Sequence, residues 1–142
     1  PWLCGRWVGL ADALAGAGAA RGAALQVDAL TAERNGEQAM AQVRGQGVAL
    51  EAVFAASDVI GLGAMKALRA QGLKVPGQVA VAGFDDIAMA SFAQPGLSTV
   101  QQDTKLAGEV LVDSLIRLIQ GETVESRTLP VKLVPRGSTH AG

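Results

Sequence analysis

Hydrophobic residues along this chain recur with two different periods, and the two periods alternate. Apolar positions at three- and four-residue spacing predict helices over residues 6–17, 35–47, 59–71 and 104–120. Short apolar or alternating runs predict strands over residues 25–30, 51–56, 79–84, 97–101 and 128–134. Strands that alternate with longer helices are typical of βαβ units, in which a parallel sheet carries helices on its faces. The pattern therefore predicts an α/β fold with a parallel sheet.

The last predicted helix is apolar around most of its circumference. Its charged residues form a single stripe at four-residue spacing, Lys105, Glu109, Asp113 and Arg117, in which Asp113 stands in the favourable order before Arg117. Eight of the remaining positions are Leu, Val or Ile, which gives an apolar arc wider than one sheet face covers. We therefore expect this helix either to lie between two layers or to contact a partner outside this chain.

Composition and charge exclude several classes of protein. The chain has 142 residues, which suits one domain with a single core, and 49% hydrophobic against 18% charged residues is not the composition of a disordered chain. No uninterrupted apolar run approaches the ~18 residues of a membrane span. The 12 basic and 13 acidic residues form no basic cluster, so we do not expect these residues themselves to hold DNA.

Signals of targeting and of redox compartment are few. Cys4 is the only cysteine, so the chain cannot form an internal disulfide or a thiolate metal site. Residues 1–20 lack the basic region and the compact apolar stretch of a signal peptide. Both observations favour the reducing cytoplasm. Because the chain starts at Pro1, we expect it to be a piece of a longer protein.

Two polar pairs directly follow predicted strands. Ser57 and Asp58 come after the run VFAA, and Asp85 and Asp86 come after the run VAVAGF. Ligands of open parallel sheets bind at the carboxyl ends of strands, and a carboxylate there suits the vicinal hydroxyls of a sugar or ribose. We expect Asp85 to contact such a ligand. For Asp58 the alternative is helix capping, because Ser and Asp are preferred at the start of a helix.

Arg6 is a further candidate, whereas catalytic side chains are scarce. Arg6 stands at the start of the first predicted helix, where a cation opposes the helix dipole, so we expect it to contact a ligand or an acid; the alternative is a surface arginine.

His140 is the only histidine and lies in a tail of small polar residues, which leaves no nucleophile–histidine pair and no pair of metal-ligating histidines. We predict no enzyme activity, no cofactor and no metal, with a Mg²⁺ site at Asp85 and Asp86 as the alternative.

Four segments carry a specific combination of motifs. They are the acid pair after VxGF in VAVAGFDD, the crossing PGLSTVQQD, the helix KLAGEVLVDSLIRLIQG and the ending LPVKLVPRGST. In this combination they resemble the C-terminal part of lactose/galactose-repressor-type transcription regulators, most densely over residues 52–139. The resemblance implies a sensor similar to periplasmic sugar-binding proteins, with two α/β subdomains joined by crossing strands and an effector in the cleft between them.

The resemblance implies that this chain is mainly the C-terminal subdomain of such a sensor, and that it is incomplete. Residues 1–96 are expected to form that subdomain without its first strand. Residues 97–142 are expected to hold a crossing strand, a helix that packs on the absent N-terminal subdomain, and a final strand. The family binds DNA through an N-terminal helix-turn-helix, which we expect to lie in a part of the protein outside this sequence.

The resemblance also assigns site residues. Arg6 matches the family's effector-binding arginine, and Asp85 matches its sugar-hydroxyl-binding aspartate. Ser57 stands where many members have Asn, a departure that removes an amide. The implied ligand-binding set is Arg6, Ser57, Asp58, Asp85, Gln102 and Thr104, and the implied dimer face is Leu62, Met65, Lys66, Leu68, Phe92 and Ala93. The alternative for the residues of this dimer face is ordinary core packing, above all for Met65 and Leu68.

The function implied is the binding of a small polar effector, a sugar, that changes how a homodimeric cytoplasmic regulator binds DNA. The alternative is a periplasmic sugar-binding protein of a transport system, which has the same fold and similar acids at its strand ends. The wording VPGQVAVAGFDD favours the regulator.

Overall fold

A computed structural model describes residues 10–17, 32–47 and 49–140 of the chain. Its elements in chain order are a helix whose described part covers residues 10–16 (α1), α2 (Ala32–Gly45), β1 (Ala52–Phe54), α3 (Asp58–Ala70), β2 (Ala80–Ala82), α4 (Ala88–Phe92), β3 (Thr99–Gln102), α5 (Thr104–Ile119) and β4 (Val131–Val134). The alternation of helices and strands confirms the predicted α/β class. The strand predicted over 25–30 and the first four residues of the helix predicted over 6–17 lie outside the described residues.

The strands form one parallel pair and one antiparallel pair within the described residues. β1 and β2 are parallel, with Val53 opposite Val81, as the βαβ pattern predicts. A parallel bridge between Ala82 and Ser98 continues this pairing toward β3, and the Gly83 amide donates to the Ser98 carbonyl at 2.8 Å. β4 is antiparallel to β3, a direction that hydrophobic periodicity alone does not specify.

Helices α2 and α3 pack closely because Gly36 has no side chain. A Cβ atom at Gly36 would lie 2.2 Å from the Ile60 carbonyl oxygen and 2.6 Å from the Ala64 amide nitrogen. The sequence pattern placed Asn35 and Gly36 at the opening of this helix, whereas the helix begins at Ala32. The prediction was wrong here because it took Gly36 as a helix boundary, and the glycine instead serves a helix–helix contact.

The core lies between these two helices and the first two strands. Its buried members are Met40, Val43, Ala64, Met65, Leu68, Val79, Val81, Ala90 and Leu97. Leu97 is 0% exposed and stands just before β3, so the crossing segment is anchored in the core. This anchoring fixes the segment that carries the candidate site.

Helix α4 covers five residues where the sequence indicated no helical pattern. Only Ala90 of this helix is buried, whereas Met89 and Phe92 are 66% and 83% exposed. A helix of this length makes little more than one turn, so it contains no repeat from which a period could be recognised.

Helix α5 has no buried residue within the described part of the chain. Leu111 is 69% exposed and Ile119 is 77% exposed, as expected for a helix whose cover lies outside these residues. Lys105 and Glu109 stand 3.9 Å apart, but Arg117 pairs with Glu122 at 2.7 Å instead of following the predicted stripe. The turn that ends the helix brings Glu122 back to Arg117. None of the helices in the described ranges has both the length and the apolarity that a bilayer crossing requires.

Candidate functional site

The two polar pairs lie together at one edge of the sheet. β1 and β2 are neighbours and parallel, so their carboxyl ends meet, and the Asp58 amide donates to the Phe84 carbonyl at 2.8 Å. The Ile87 amide in turn donates to Asp58 Oδ2 at 2.9 Å. The Ser57–Asp58 and Asp85–Asp86 pairs therefore lie close together in the structure.

Ser57 caps helix α3. Its hydroxyl oxygen accepts from the Ile60 amide at 3.5 Å, and its backbone is extended, as is usual at an N-cap. The side chain is half-buried, which leaves part of it at the surface near the strand ends. The amides of the first helical turn have no partner within the helix, so a side chain that can accept a hydrogen bond is favoured at this position.

Asp58 differs from its predicted role as a ligand-binding residue. It is 0% exposed, its Oδ1 accepts from the Thr99 hydroxyl at 2.5 Å, and its Oδ2 accepts from the Ile87 amide. A buried carboxylate needs such donors, because leaving it unpaired costs several kcal/mol, on the order of the cost of breaking a buried ion pair. Asp58 therefore links three segments of the chain from the inside and does not reach the surface.

Asp85 and Gln102 lie side by side. The Gln102 side-chain amide donates to Asp85 Oδ1 at 2.8 Å, and the Asp85 backbone amide donates to the Val100 carbonyl at 2.9 Å. Both residues are half-buried. The structure thus brings together two of the residues that the resemblance assigned to a ligand, a carboxylate and an amide with complementary hydrogen-bonding groups.

Asp86 is held by two side chains that the sequence analysis did not identify. Arg136 Nη2 donates to Asp86 Oδ1 at 2.6 Å, and Gln101 Nε2 donates to Oδ2 at 2.8 Å. The Asp86 side chain is 12% exposed and the Arg136 side chain 20%, so this ion pair is largely shielded from water. Arg136 belongs to the ending LVPRGST, and that motif was the one signal in the sequence that pointed to it.

Thr104 begins α5 and is exposed. It lines a shallow depression of about 470 Å³ with Gln102, Lys105 and Lys132. The depression is open to solvent. It adjoins the Asp85–Gln102 pair, because Gln102 belongs to both. Arg6, the remaining predicted ligand residue, lies outside the described residues.

No group of three or more His, Cys, Asp or Glu side chains converges at the strand-end acids in the ranges that the structure describes. Both oxygens of Asp86 are engaged by Arg136 and Gln101, which leaves this carboxylate committed to protein donors.

The residues of the predicted dimer face differ in how exposed they are. Phe92 is almost fully exposed, and Ala93 and Leu62 are half-buried. Lys66 is exposed and pairs with Glu37 at 2.8 Å, which ties α3 to α2. A separate group, Met65 and Leu68, is 5% and 1% exposed and belongs to the core, which corrects their assignment to an interface.

The chain matches a known family and several curated relatives. The family described as periplasmic binding protein-like domain matches residues 8–139. The HTH-type transcriptional regulator CelR of Thermobifida fusca is 43% identical over 100 residues, which are 70% of this chain and 28% of that protein. The lactose operon repressor of Escherichia coli K12 is 39% identical over 108 residues, 75% of this chain and 30% of that protein. This chain therefore spans less than a third of the length of either relative.

A solved structure shares the fold and contains a sugar. The structure of the complex of the transcriptional regulator CelR with cellobiose has a TM-score of 0.78 and 38% sequence identity to this chain. The match covers 89% of this chain and 39% of the other. The α/β arrangement described above is thus shared with the matching part of that structure.

Proposed function

This chain belongs to the family of lactose/galactose-repressor-type transcription regulators, and we propose that it forms part of the effector sensor of such a regulator. In this proposal residues 1–96 belong to the C-terminal subdomain and residues 97–142 supply a crossing strand, a helix and a final strand. The effector is a small polar molecule of the sugar class. Its binding changes the affinity of the complete protein for DNA, which the protein holds through a segment outside this chain.

The hydrogen-bonded pair of Asp85 and Gln102 carries the proposal of a sugar. A carboxylate accepts from vicinal hydroxyls, and an amide both donates and accepts, so the pair can engage both roles of a sugar hydroxyl. The pair stands at the carboxyl ends of strands, the edge at which open α/β sheets bind ligands. Ser57 adds a hydroxyl at the same edge, and Thr104 lies on the adjoining depression. The relative CelR has been solved with cellobiose, which supports a sugar as the class of effector.

The regulator is favoured over a transport receptor by the proteins to which the chain is similar. CelR and the lactose operon repressor are transcription regulators at 43% and 39% identity. We place the complete protein in the cytoplasm, where its DNA is, and assign it no catalytic step. It is proposed to act as a homodimer whose interface includes the exposed face of α4.

The sugar proposal is tested by titration of the complete protein. A panel of cellobiose, lactose, glucose, galactose and ribose is titrated by calorimetry, and DNA binding to the upstream region of the protein's own operon is followed with each sugar. At least one sugar is expected to bind and to change DNA affinity. Failure of every sugar in the panel to do either would contradict the proposed effector class.

The site itself is tested with Asp85→Ala. This variant is expected to lose the response to the sugar while binding the same DNA, since the carboxylate contacts the effector and not the DNA. Glu125→Ala, which removes an exposed carboxylate from the link between α5 and β4, is the matched control and keeps the response. A sugar response that persists unchanged in Asp85→Ala would remove Asp85 from the site.

A further inference from the structure

The turn that carries Asp85 has a backbone that side chains rarely adopt. Asp85 has φ +117° and Asp86 has φ +53°, two consecutive positive values at residues with a Cβ atom. Such conformations are disfavoured for L-residues and persist only where surrounding contacts hold them. The conformation places the Asp85 side chain beside Gln102, so whatever holds the turn also sets the geometry of the pair.

The inner side of the turn is held by a buried relay of two side chains. The Thr99 hydroxyl donates to Asp58 Oδ1 at 2.5 Å and accepts from the Asp86 amide at 3.3 Å. Asp58 Oδ2 accepts from the Ile87 amide at 2.9 Å. Both Asp58 and Thr99 are 0% exposed, so these bonds do not compete with water. Two successive amides of the turn therefore depend on one buried carboxylate and one hydroxyl.

The outer side of the turn is held by Arg136. Its guanidinium donates to Asp86 Oδ1 at 2.6 Å and to the Leu97 carbonyl at 2.8 Å, which joins the turn to the start of the crossing segment. The backbone of Arg136 is itself fixed, because its amide donates to Ser98 Oγ at 2.7 Å. The turn is thus clamped between the buried relay and the chain ending.

We infer that Thr99, Asp58 and Arg136 are positioning residues that fix the backbone of Asp85 in the orientation needed to bind effector. This inference rests on the proposed function for the role of Asp85 itself. None of the three touches the effector in this arrangement; they act through the amides of Asp86 and Ile87 and through the Asp86 carboxylate. The relay makes effector affinity depend on a hydroxyl that is buried behind the site.

The relay is tested in the complete protein with Thr99→Val and Thr99→Ser. Valine keeps the branched shape but loses the hydroxyl, whereas serine keeps the hydroxyl. Hydrogen exchange of residues 85–88 is expected to be faster in Thr99→Val by about tenfold and nearly unchanged in Thr99→Ser, because the Asp86 amide loses its acceptor only in the valine variant. The dissociation constant for cellobiose is expected to rise by about tenfold in Thr99→Val alone.

A core variant separates positioning from loss of stability. Val43→Ala lowers the melting temperature by creating a space in α2, away from the turn, and is expected to leave both exchange at 85–88 and cellobiose affinity unchanged. If Thr99→Val does not fold, Arg136→Gln replaces it, since this partly exposed side chain can be changed with less disruption. Arg136→Gln is likewise expected to speed exchange over residues 85–88.

The outcomes distinguish the inference from the function on which it rests. Unchanged exchange at 85–88 in the folded Thr99 and Arg136 variants would overturn the positioning role. Faster exchange with an unchanged cellobiose dissociation constant would also overturn it, because the backbone would then be irrelevant to binding. A wild-type protein that binds no sugar of the panel contradicts the proposed effector class only, and the exchange result still decides whether Thr99 and Arg136 fix the turn.

Discussion

Gly36 of α2 lies directly against the backbone of Ile60 in α3. A Cβ atom at this position would come within 2.2 Å of the Ile60 carbonyl oxygen, which no real contact permits. The obstacle is backbone on both sides, so neither partner can rotate away as a long side chain could. The spacing of the two helices, and with it the position of α3 beneath the strand ends, depends on the absence of a side chain here.

Gly36→Ala is therefore expected to lower the free energy of unfolding by about 2 kcal/mol, in spite of the better helix propensity of alanine. The measurement is urea denaturation followed by circular dichroism. Gly45→Ala in the same helix is the matched control, because its Cβ would have nothing within 4 Å. It is expected to leave the protein as stable or slightly more stable. Equal midpoints for the two variants would show that the helices can separate at no cost.

Ser138 joins the chain ending to the sheet. Its hydroxyl donates to the Val81 carbonyl at 2.6 Å and accepts from the Ser98 amide at 2.8 Å, and the residue is 0% exposed. Ser138→Ala leaves a buried carbonyl and a buried amide without these partners, so we expect a loss of about 2 kcal/mol in thermal or urea unfolding. Ser91→Ala, at an exposed serine that donates to the Ala88 carbonyl, is expected to stay within about 0.5 kcal/mol of wild type.

Local signals predicted the helices and strands well where they were strong. Helix α3 begins one residue before the predicted start and ends one before the predicted end, because its cap at Ser57, its four-residue period and Gly72 all lie within one stretch of sequence. Strand lengths were overestimated: β1 and β2 have three residues each, since apolar runs continue into buried loops. Gly36 was misinterpreted because the residue that it contacts, Ile60, is distant in sequence, so no local signal indicates the contact.

The candidate site was predictable only in part. Asp85 and Gln102 were identified through motifs, and the structure shows them hydrogen-bonded. The engagement of Asp58 with Thr99 joins residues 41 apart, and that of Asp86 with Arg136 joins residues 50 apart. Periodicity contains no information on such pairings, so a fully buried acid such as Asp58 and a half-buried acid such as Asp85 look alike in sequence.

Magnesium is expected to leave the stability of the protein unchanged. A Mg²⁺ ion is bound through one or two free carboxylates with octahedral geometry, and both oxygens of Asp86 already accept from Gln101 and Arg136. The melting temperature is measured with millimolar MgCl₂ and with EDTA. CaCl₂ at the same ionic strength controls for screening of charges. A specific rise with Mg²⁺ would revive the alternative of a metal site at the acid pair.

Phe92 is the most exposed of the large hydrophobic residues that the structure describes. The ring is 83% exposed and Met89, on the same short helix, is 66% exposed, so together they present apolar surface to water. In the proposed homodimer this surface is covered by the second copy. Phe92→Asp is then expected to shift the complete protein from dimer to monomer at micromolar concentration, since it places a charge in an apolar contact.

The measurement is sedimentation velocity over a range of protein concentrations, with Phe92→Leu as the matched control that keeps an apolar side chain. The control is expected to remain dimeric. Because Phe92 contributes little to the core, both variants should unfold at the wild-type midpoint once dissociation is accounted for by concentration. A Phe92→Asp protein that sediments as the same dimer would place the interface elsewhere and leave the exposed face of α4 without a role in assembly.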